Sequence, residues 1–283
     1  MNRTNIEWVR NSDGTQGYTS NPVRGECPVG CDYCYVKPFR QRYGWHKDIR
    51  FYPQELEAIC KRKKPAGIFI GSTIELFHDK TIQYMPQIID TTKVCPHHRI
   101  YLLTKQPQNL IKWSPFPDNC WVGVTVTDYP SFIKALHYVM MIEASVTYLS
   151  IEPLLGRIYT DEKQLKSSGI RQIIIGAMTG TKYELLLYVD NHYEDGECEL
   201  TLMPLGVRTP NRWTLQPPIS WVEEIVRACD RAGVKVFLKN NLQPLIPPTT
   251  KNILLLYKEY PSSVAGRAIS LRQELPDVLP TKL

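Results

Sequence analysis

Three cysteines stand within eight residues of each other in the string Cys27-Pro28-Val29-Gly30-Cys31-Asp32-Tyr33-Cys34-Tyr35. Thiols this close in sequence face one point only where the backbone loops around it, and Gly25 and Gly30 supply the freedom for such a loop. A closed zinc site takes four ligands, so three thiolates leave that ion short unless a distant Cys or His joins them. A [4Fe–4S] cluster is also a thiolate site, and held by three Cys it keeps one iron open to an outside ligand. A disulfide loop is the third use of such a string. It is disfavoured because no apolar secretory segment is visible at the start, where Met1-Asn2-Arg3-Thr4-Asn5 leads into Ile6-Glu7-Trp8.

A chain of 283 residues can bury its core as one α/β barrel-type domain or as two smaller ones. No run approaches the ~18 apolar residues of a membrane span, so no membrane partner is expected and the setting is read as reducing and cytoplasmic. The other five cysteines, Cys60, Cys95, Cys120, Cys198 and Cys229, are scattered singly and read as buried or incidental thiols. The net charge of +6 permits a nucleic-acid or phosphate-bearing substrate without establishing one. The run Lys61-Arg62-Lys63-Lys64 reads as a solvated helix end, with a phosphate contact as its alternative.

Apolar, β-branched runs predict strands over 67–70, 99–105, 121–128, 146–151, 171–175 and 234–238. Helical patterns fall between them at 53–63, 81–91, 131–141 and 221–232, the last stopped by Gly233. Near-continuous apolar strands alternating with helices imply a parallel sheet covered on both faces. The fold class is therefore α/β, a partial or complete (β/α) TIM-like barrel. Residues 1–283 are expected to form a single domain, with extensions at 1–20 and 242–283 and an insert at 182–215. That insert, which contains Glu194-Asp195-Gly196-Glu197, reads as a surface hairpin or a substrate-binding segment.

Each expected strand ends in polar residues: Ser72, Thr104 with Lys105, Thr127 with Asp128, Glu152, and Thr179. In β/α barrels these C-terminal strand ends form the active-site face. The alternative is that they only cap the following helices. For Glu152 that alternative is weaker, because Pro153-Leu154-Leu155-Gly156 follows and no helix is expected there. The stretch 37–51, with Arg40, Arg42, Trp45, His46 and Arg50, is aromatic and basic.

The cysteine spacing, with an aromatic residue before the last Cys, resembles the signature of the radical S-adenosylmethionine (radical SAM) superfamily. A longer series resembles a phage-associated radical SAM family that carries a domain-of-unknown-function label. The series is T-x-I-E-W at 4–8, N-P-V-R-G at 21–25, G-S-x-x-x-L-F-H at 71–78, L-L-T-K at 102–105 and W-V-G-V-T-V-x-D at 121–128. It continues with S-x-E-P-L-L-G at 150–156, A-G-V-x-x-F-x-K at 232–239 and G-R-x-x-x-x-R-x-E-L-P at 266–276. The family's Gly-Gly-Glu-Ser-Gly string is replaced here by Gly176-Ala177-Met178-Thr179-Gly180, so a role carried by that acid is in doubt.

The resemblance implies Cys27, Cys31 and Cys34 as ligands of a [4Fe–4S] cluster whose open iron is chelated by S-adenosylmethionine. It implies reductive cleavage of that cofactor to a 5′-deoxyadenosyl radical, with the electron from a flavodoxin- or ferredoxin-type donor, and hydrogen abstraction from a substrate. By the same resemblance Tyr33 lies against the adenine, and Gly71 and Ser72 take the place of the string that receives the cofactor's amino group. Glu75 either replaces the acid missing from that string or is a solvent-facing loop carboxylate, and Thr127 and Asp128 meet the ribose hydroxyls. Lys105 and Glu152 either pair with each other or handle cofactor or substrate as catalytic residues, and Lys239 is a comparable charge. His78 reads as a packed or capping residue before it reads as a proton relay. Three function classes follow: a radical SAM enzyme on a nucleic acid or nucleotide, one on a small molecule or peptide, and a non-catalytic Fe–S or zinc binding module.

Overall fold

The structure, a computed structural model, describes residues 1–194, 196–206, 211–246, 256–259 and 269–277. Asp195 and residues 207–210 of the expected insert lie outside the described residues, as do 247–255, 260–268 and 278–283 of the C-terminal extension. Gly266, Arg267 and Ala268 of the tail string fall in that group. The chain, expected as a single domain, divides into two compact units. One comprises Met1–Thr125, Lys134–Tyr148 and Asp277–Leu283, the other Val126–Ile133 and Leu149–Pro276.

The first unit begins with β1 (Asn2–Arg3), β2 (Tyr18–Ser20), β3 (Val23–Arg24), α1 (Val36–Tyr43), β4 (Arg50–Phe51) and α2 (Pro53–Lys61). It continues through β5 (Gly67–Ile70), α3 (Met85–Val94), β6 (Arg99–Thr104) and β7 (Cys120–Thr125). Strands β2, β5, β6 and β7 run parallel in that order, with Tyr18 opposite Ile68, Ile68 opposite Ile100 and Tyr101 opposite Trp121. Every residue of β5 and β7 is buried, as strands covered on both faces require. Trp8 anchors the N-terminal segment, its ring 5.2 Å from Phe69, 5.6 Å from Tyr101 and 5.7 Å from Tyr148. Proline sets the helix starts. The helix expected over 81–91 comes as a 3-10 turn at Ile82–Tyr84 followed by α3, because Pro86 is tolerated only in a first helical turn.

Along the chain, α4 (Tyr129–Val139) and β8 (Val146–Ile151) each have residues in both units. The second unit then adds α5 (Glu162–Ser168), β9 (Gln172–Ile175), β10 (Met178–Gly180), α6 (Lys182–His192), β11 (Thr201–Pro204) and β12 (Trp213–Gln216). It ends with α7 (Ile219–Ala232), β13 (Lys235–Leu238), β14 (Tyr257–Glu259) and β15 (Ile269–Leu271). Strands β9 and β13 are parallel, with Ile173 opposite Val236. Helix α7 buries Trp221, Val222, Ile225, Val226, Ala228 and Cys229 on one face and ends at Gly233 in the left-handed conformation. The segment from 182 onward, expected as a surface hairpin or a substrate-binding insert, holds α6 and the antiparallel pair of β11 and β12. Thr181 and Glu184 form a reciprocal capping box that starts α6, and β10, β12 and β11 form an antiparallel sheet in that order. The architecture is mixed α/β with a parallel sheet, in line with the α/β expectation. Among the described residues, no helix is long and apolar enough to cross a membrane.

Candidate functional site

The three cysteines lie on an excursion that leaves and rejoins the first unit through a narrow neck. Strands β3 and β4 pair there, Val23 opposite Phe51 and Arg24 opposite Arg50. The Glu26 N–H donates to the Lys47 carbonyl at 2.8 Å and the Tyr52 N–H to the Pro22 carbonyl at 2.6 Å. Gly25 is required at this neck. Its φ is +140°, and a Cβ there would stand 2.5 Å from the Asp48 carbonyl oxygen. Gly30, at φ +67°, turns the chain between the first two cysteines. The Cys34 N–H then donates to the Cys31 carbonyl at 3.2 Å, and the Lys37 N–H to the Cys34 carbonyl at 3.2 Å, which curls the chain into α1.

All three thiols are free and half-buried. Burial pushes the Cys31 thiol up. The Lys105 ammonium and a hydrogen bond from Tyr33 pull against it, while Cys27 and Cys34 add to the rise. Among the described residues, no three His, Cys, Asp or Glu side chains are gathered closely enough to hold a metal ion, the loop cysteines included. Site and ion commonly form together, since the ligands must deprotonate and close around the cation.

Glu75 ties this loop to the parallel strands. The sequence left it open as a cofactor ligand or a solvent-facing carboxylate, and the structure buries it. Its Oε1 accepts from Thr104 Oγ1 at 2.7 Å and from the Phe77 N–H at 3.0 Å, and its Oε2 accepts from the Lys105 N–H at 2.7 Å. The Glu75 N–H itself donates to Cys27 Sγ at 3.4 Å. Gly71 donates its N–H to the Ser20 carbonyl at 2.9 Å. Ser72 Oγ bonds Asn21 Oδ1 at 3.2 Å, and the Ser72 carbonyl accepts from the Tyr35 hydroxyl at 2.7 Å. Lys105 Nζ lies 3.4 Å from Thr125 Oγ1 and 5.7 Å from the centre of the Tyr33 ring. Cys27, Cys31, Cys34, Tyr33, Gly71, Ser72, Glu75 and Lys105 all belong to the first unit. His78 accepts from the Lys80 N–H at 3.2 Å through Nδ1, the capping use that its sequence context favoured.

The second unit holds the remaining expected residues. Within this unit Glu152 Oε1 lies 2.7 Å from Lys239 Nζ, and its Oε2 accepts from Ser150 Oγ at 3.1 Å. Gly176 lies against this pair, and a Cβ there would come within 3.0 Å of the Lys239 side chain and 3.1 Å of Glu152 Oε1. The Ala177 N–H and carbonyl exchange hydrogen bonds with the Asn241 amide at 3.1 and 2.8 Å. Thr127 and Asp128 act as helix-start residues. Asp128 Oδ1 accepts from the Ser131 N–H at 2.9 Å, Ser131 Oγ accepts from the Asp128 N–H at 3.1 Å, and Thr127 Oγ1 donates to Asp128 Oδ2 at 3.2 Å.

Sequence reasoning missed three features. Asn21 and Asn241 brace the two polar clusters, and a lone asparagine beside a strand end gives little signal of that. Cys60 and Cys95 were read as scattered thiols, but their sulfurs lie 3.2 Å apart, with Cys95 pushed up to about 11 by burial and by Cys60.

The family model described as "Protein of unknown function (DUF5131)" matches residues 3–187, more than half of the chain. No curated protein matches. A solved structure of a spore photoproduct lyase mutant, a radical SAM enzyme, is similar in fold. Its TM-score is 0.51 at 12% identity, over 74% of this chain and 73% of that one.

Proposed function

This chain belongs to the family described as a protein of unknown function (DUF5131), and from that premise we propose that it is a radical SAM enzyme. The observation that carries the reading is the arrangement of three half-buried thiols on one pinned loop, with a backbone N–H on one sulfur and an ammonium beside another. That donor set fits a [4Fe–4S] cluster held by Cys27, Cys31 and Cys34. The ligands are thiols, backbone hydrogen bonds to cluster sulfurs tune such centres, and a nearby cation offsets the charge of three thiolates. The likeness in fold to a radical SAM enzyme supports the same reading, as does the parallel sheet, which suits a partial (β/α) barrel.

When bound, the cluster and S-adenosylmethionine supply reductive carbon–sulfur cleavage and a 5′-deoxyadenosyl radical that takes hydrogen from a substrate, given an electron from a flavodoxin- or ferredoxin-type donor. The chain's own residues hold and orient. Lys105 stabilises the thiolate form of Cys31, and Tyr33 donates to that sulfur. Glu75 fixes the chain at Lys105 and at Cys27 together, and it keeps acceptor capacity on Oε2 for an ammonium group. Gly71 and Ser72 present backbone beside Glu75. Asp128 orders the start of α4 and, with Thr127, offers hydroxyl-binding oxygens. Glu152 with Lys239 provides a paired charge for cofactor or substrate. The phage association implied by the motif series belongs to this same proposal.

Anaerobic reconstitution with iron and sulfide, followed by dithionite and S-adenosylmethionine, tests the reading. 5′-Deoxyadenosine is the expected product. A protein that takes up iron at these thiols and forms none overturns the proposal.

A further inference from the structure

Helix α1 buries only Val36 and carries no acidic residue, so its sequence is not explained by packing. Tyr35, Phe39 and Tyr43 recur at four-residue spacing and line one face. Their exposures are 53%, 43% and 59%, and Trp45, just past the helix, is 46% exposed. The Phe39 and Tyr43 rings are parallel within 4°, with centres 6.4 Å apart. Both rings are exposed, so the pair forms a flat platform on which the face of an unpaired base can stack. Tyr35 is oriented by its hydroxyl on the Ser72 carbonyl at 2.7 Å, directly after the last loop cysteine.

Cations surround this face. Lys37, Arg40, Arg42, Lys47 and Arg50 fall within fourteen residues, against the single acid Asp48. Lys37 pairs with Asp32 at 3.6 Å, Arg40 with Glu26 at 3.8 Å and Arg50 with Asp48 at 3.1 Å. The Lys37 and Arg50 pairs lie at the surface, where such pairs hold weakly and exchange readily for phosphate, whereas the Arg40 side chain is largely covered. The Arg42 guanidinium lies 5.6 Å from the Tyr43 ring centre, a cation on the edge of the stacking platform.

The geometry points to α1 and the residues up to Arg50 as a binding site for single-stranded nucleic acid, with bases stacked on the exposed Phe39 and Tyr43 rings and the backbone held by Arg42, Lys47 and their neighbours. Exposed aromatics interleaved with cations are how proteins bind unpaired strands, because every base has a stacking face. A duplex keeps its bases stacked on one another and gives the ring pair nothing to hold. The site names the substrate class of the proposed enzyme. In that role it rests on the radical SAM reading, but strand binding itself does not.

The test is fluorescence anisotropy of labelled strands of about 12 nucleotides, as RNA, as DNA and as the matching duplex, titrated with the full-length reconstituted chain at several salt concentrations. Single strands are expected to bind about ten-fold tighter than duplex, with affinity falling as salt rises. Phe39→Ala and Tyr43→Ala are each expected to weaken binding about ten-fold. Arg42→Gln is expected to flatten the salt slope by about 0.7, while Tyr183→Ala, an exposed ring on α6, leaves binding unchanged. The RNA and DNA arms decide which sugar is preferred. Equal or tighter duplex binding, wild-type affinity in the two ring variants, or no strand binding at all overturns the inference. Binding is read without S-adenosylmethionine or reductant, so its failure leaves the cleavage reading standing. A chain that binds strands and makes no 5′-deoxyadenosine sinks only that reading.

Discussion

The cysteine loop of the first unit and the Glu152 cluster of the second reach order by opposite routes. Around Glu152 the described contacts are internal to the fold: Lys239 at 2.7 Å, Ser150 at 3.1 Å, and the Asn241 amide on Ala177 close by. The loop sulfurs have one backbone donor at 3.4 Å and one neighbouring ammonium, and α1 behind them is almost wholly exposed. One cluster is closed by an ion pair of its own; the other is a set of half-buried thiols that, on the proposed reading, an iron–sulfur cluster completes. On that reading, iron retention and folding stability rest on different residues.

Cys31→Ala tests that separation with the largest effect. It should abolish iron retention after reconstitution, measured by iron content and visible absorbance, while shifting the stability of the iron-free chain by only about 0.5 kcal/mol, as expected for a half-buried side chain. Lys239→Met should do the reverse. It strands the Glu152 carboxylate and should cost about 2 kcal/mol in urea unfolding, less than for a fully buried pair, with iron content unchanged. Iron loss in Lys239→Met, or a large stability loss in Cys31→Ala, would erase the contrast.

The smallest effect concerns His98, whose ring is buried with Nε2 donating to the Ile59 carbonyl at 3.1 Å. Burial first, then His97, holds its imidazole below the usual value of 6.5. The native state keeps it neutral, and the unfolded chain takes up the proton more readily. Stability is therefore full above about pH 6.5 and declines as the pH falls below it. Thermal midpoints between pH 8 and pH 5, about a unit and a half either side of that value, should decline less in His98→Gln than in the parent.

What was legible in the sequence follows from which forces are local. The strands at Gly67–Ile70 and Val146–Ile151 match their expected bounds because an uninterrupted buried run leaves little alternative. The cysteine string stood out by its spacing, and its use as a ligand set belongs to the proposal above. Helix α1 was read only as an aromatic, basic stretch, since its period is carried by exposed aromatic rings and not by a buried apolar stripe. Partner choice was the blind spot. The Lys239 that meets Glu152 and the Cys95 that meets Cys60 lie far along the chain from their partners, and nothing near either residue names the other. Asp128 shows the limit from another side, since capping and ligand binding call for the same carboxylate at the same strand end.

Electron paramagnetic resonance of the anaerobically reconstituted, dithionite-reduced chain, with and without S-adenosylmethionine, tests the central claim most directly. A cluster on Cys27, Cys31 and Cys34 with one open iron gives a reduced Fe–S signal that changes when the cofactor is added, and Cys31→Ala gives none. A signal indifferent to S-adenosylmethionine, or a colourless protein whose three thiols close on zinc with a fourth protein ligand, contradicts it.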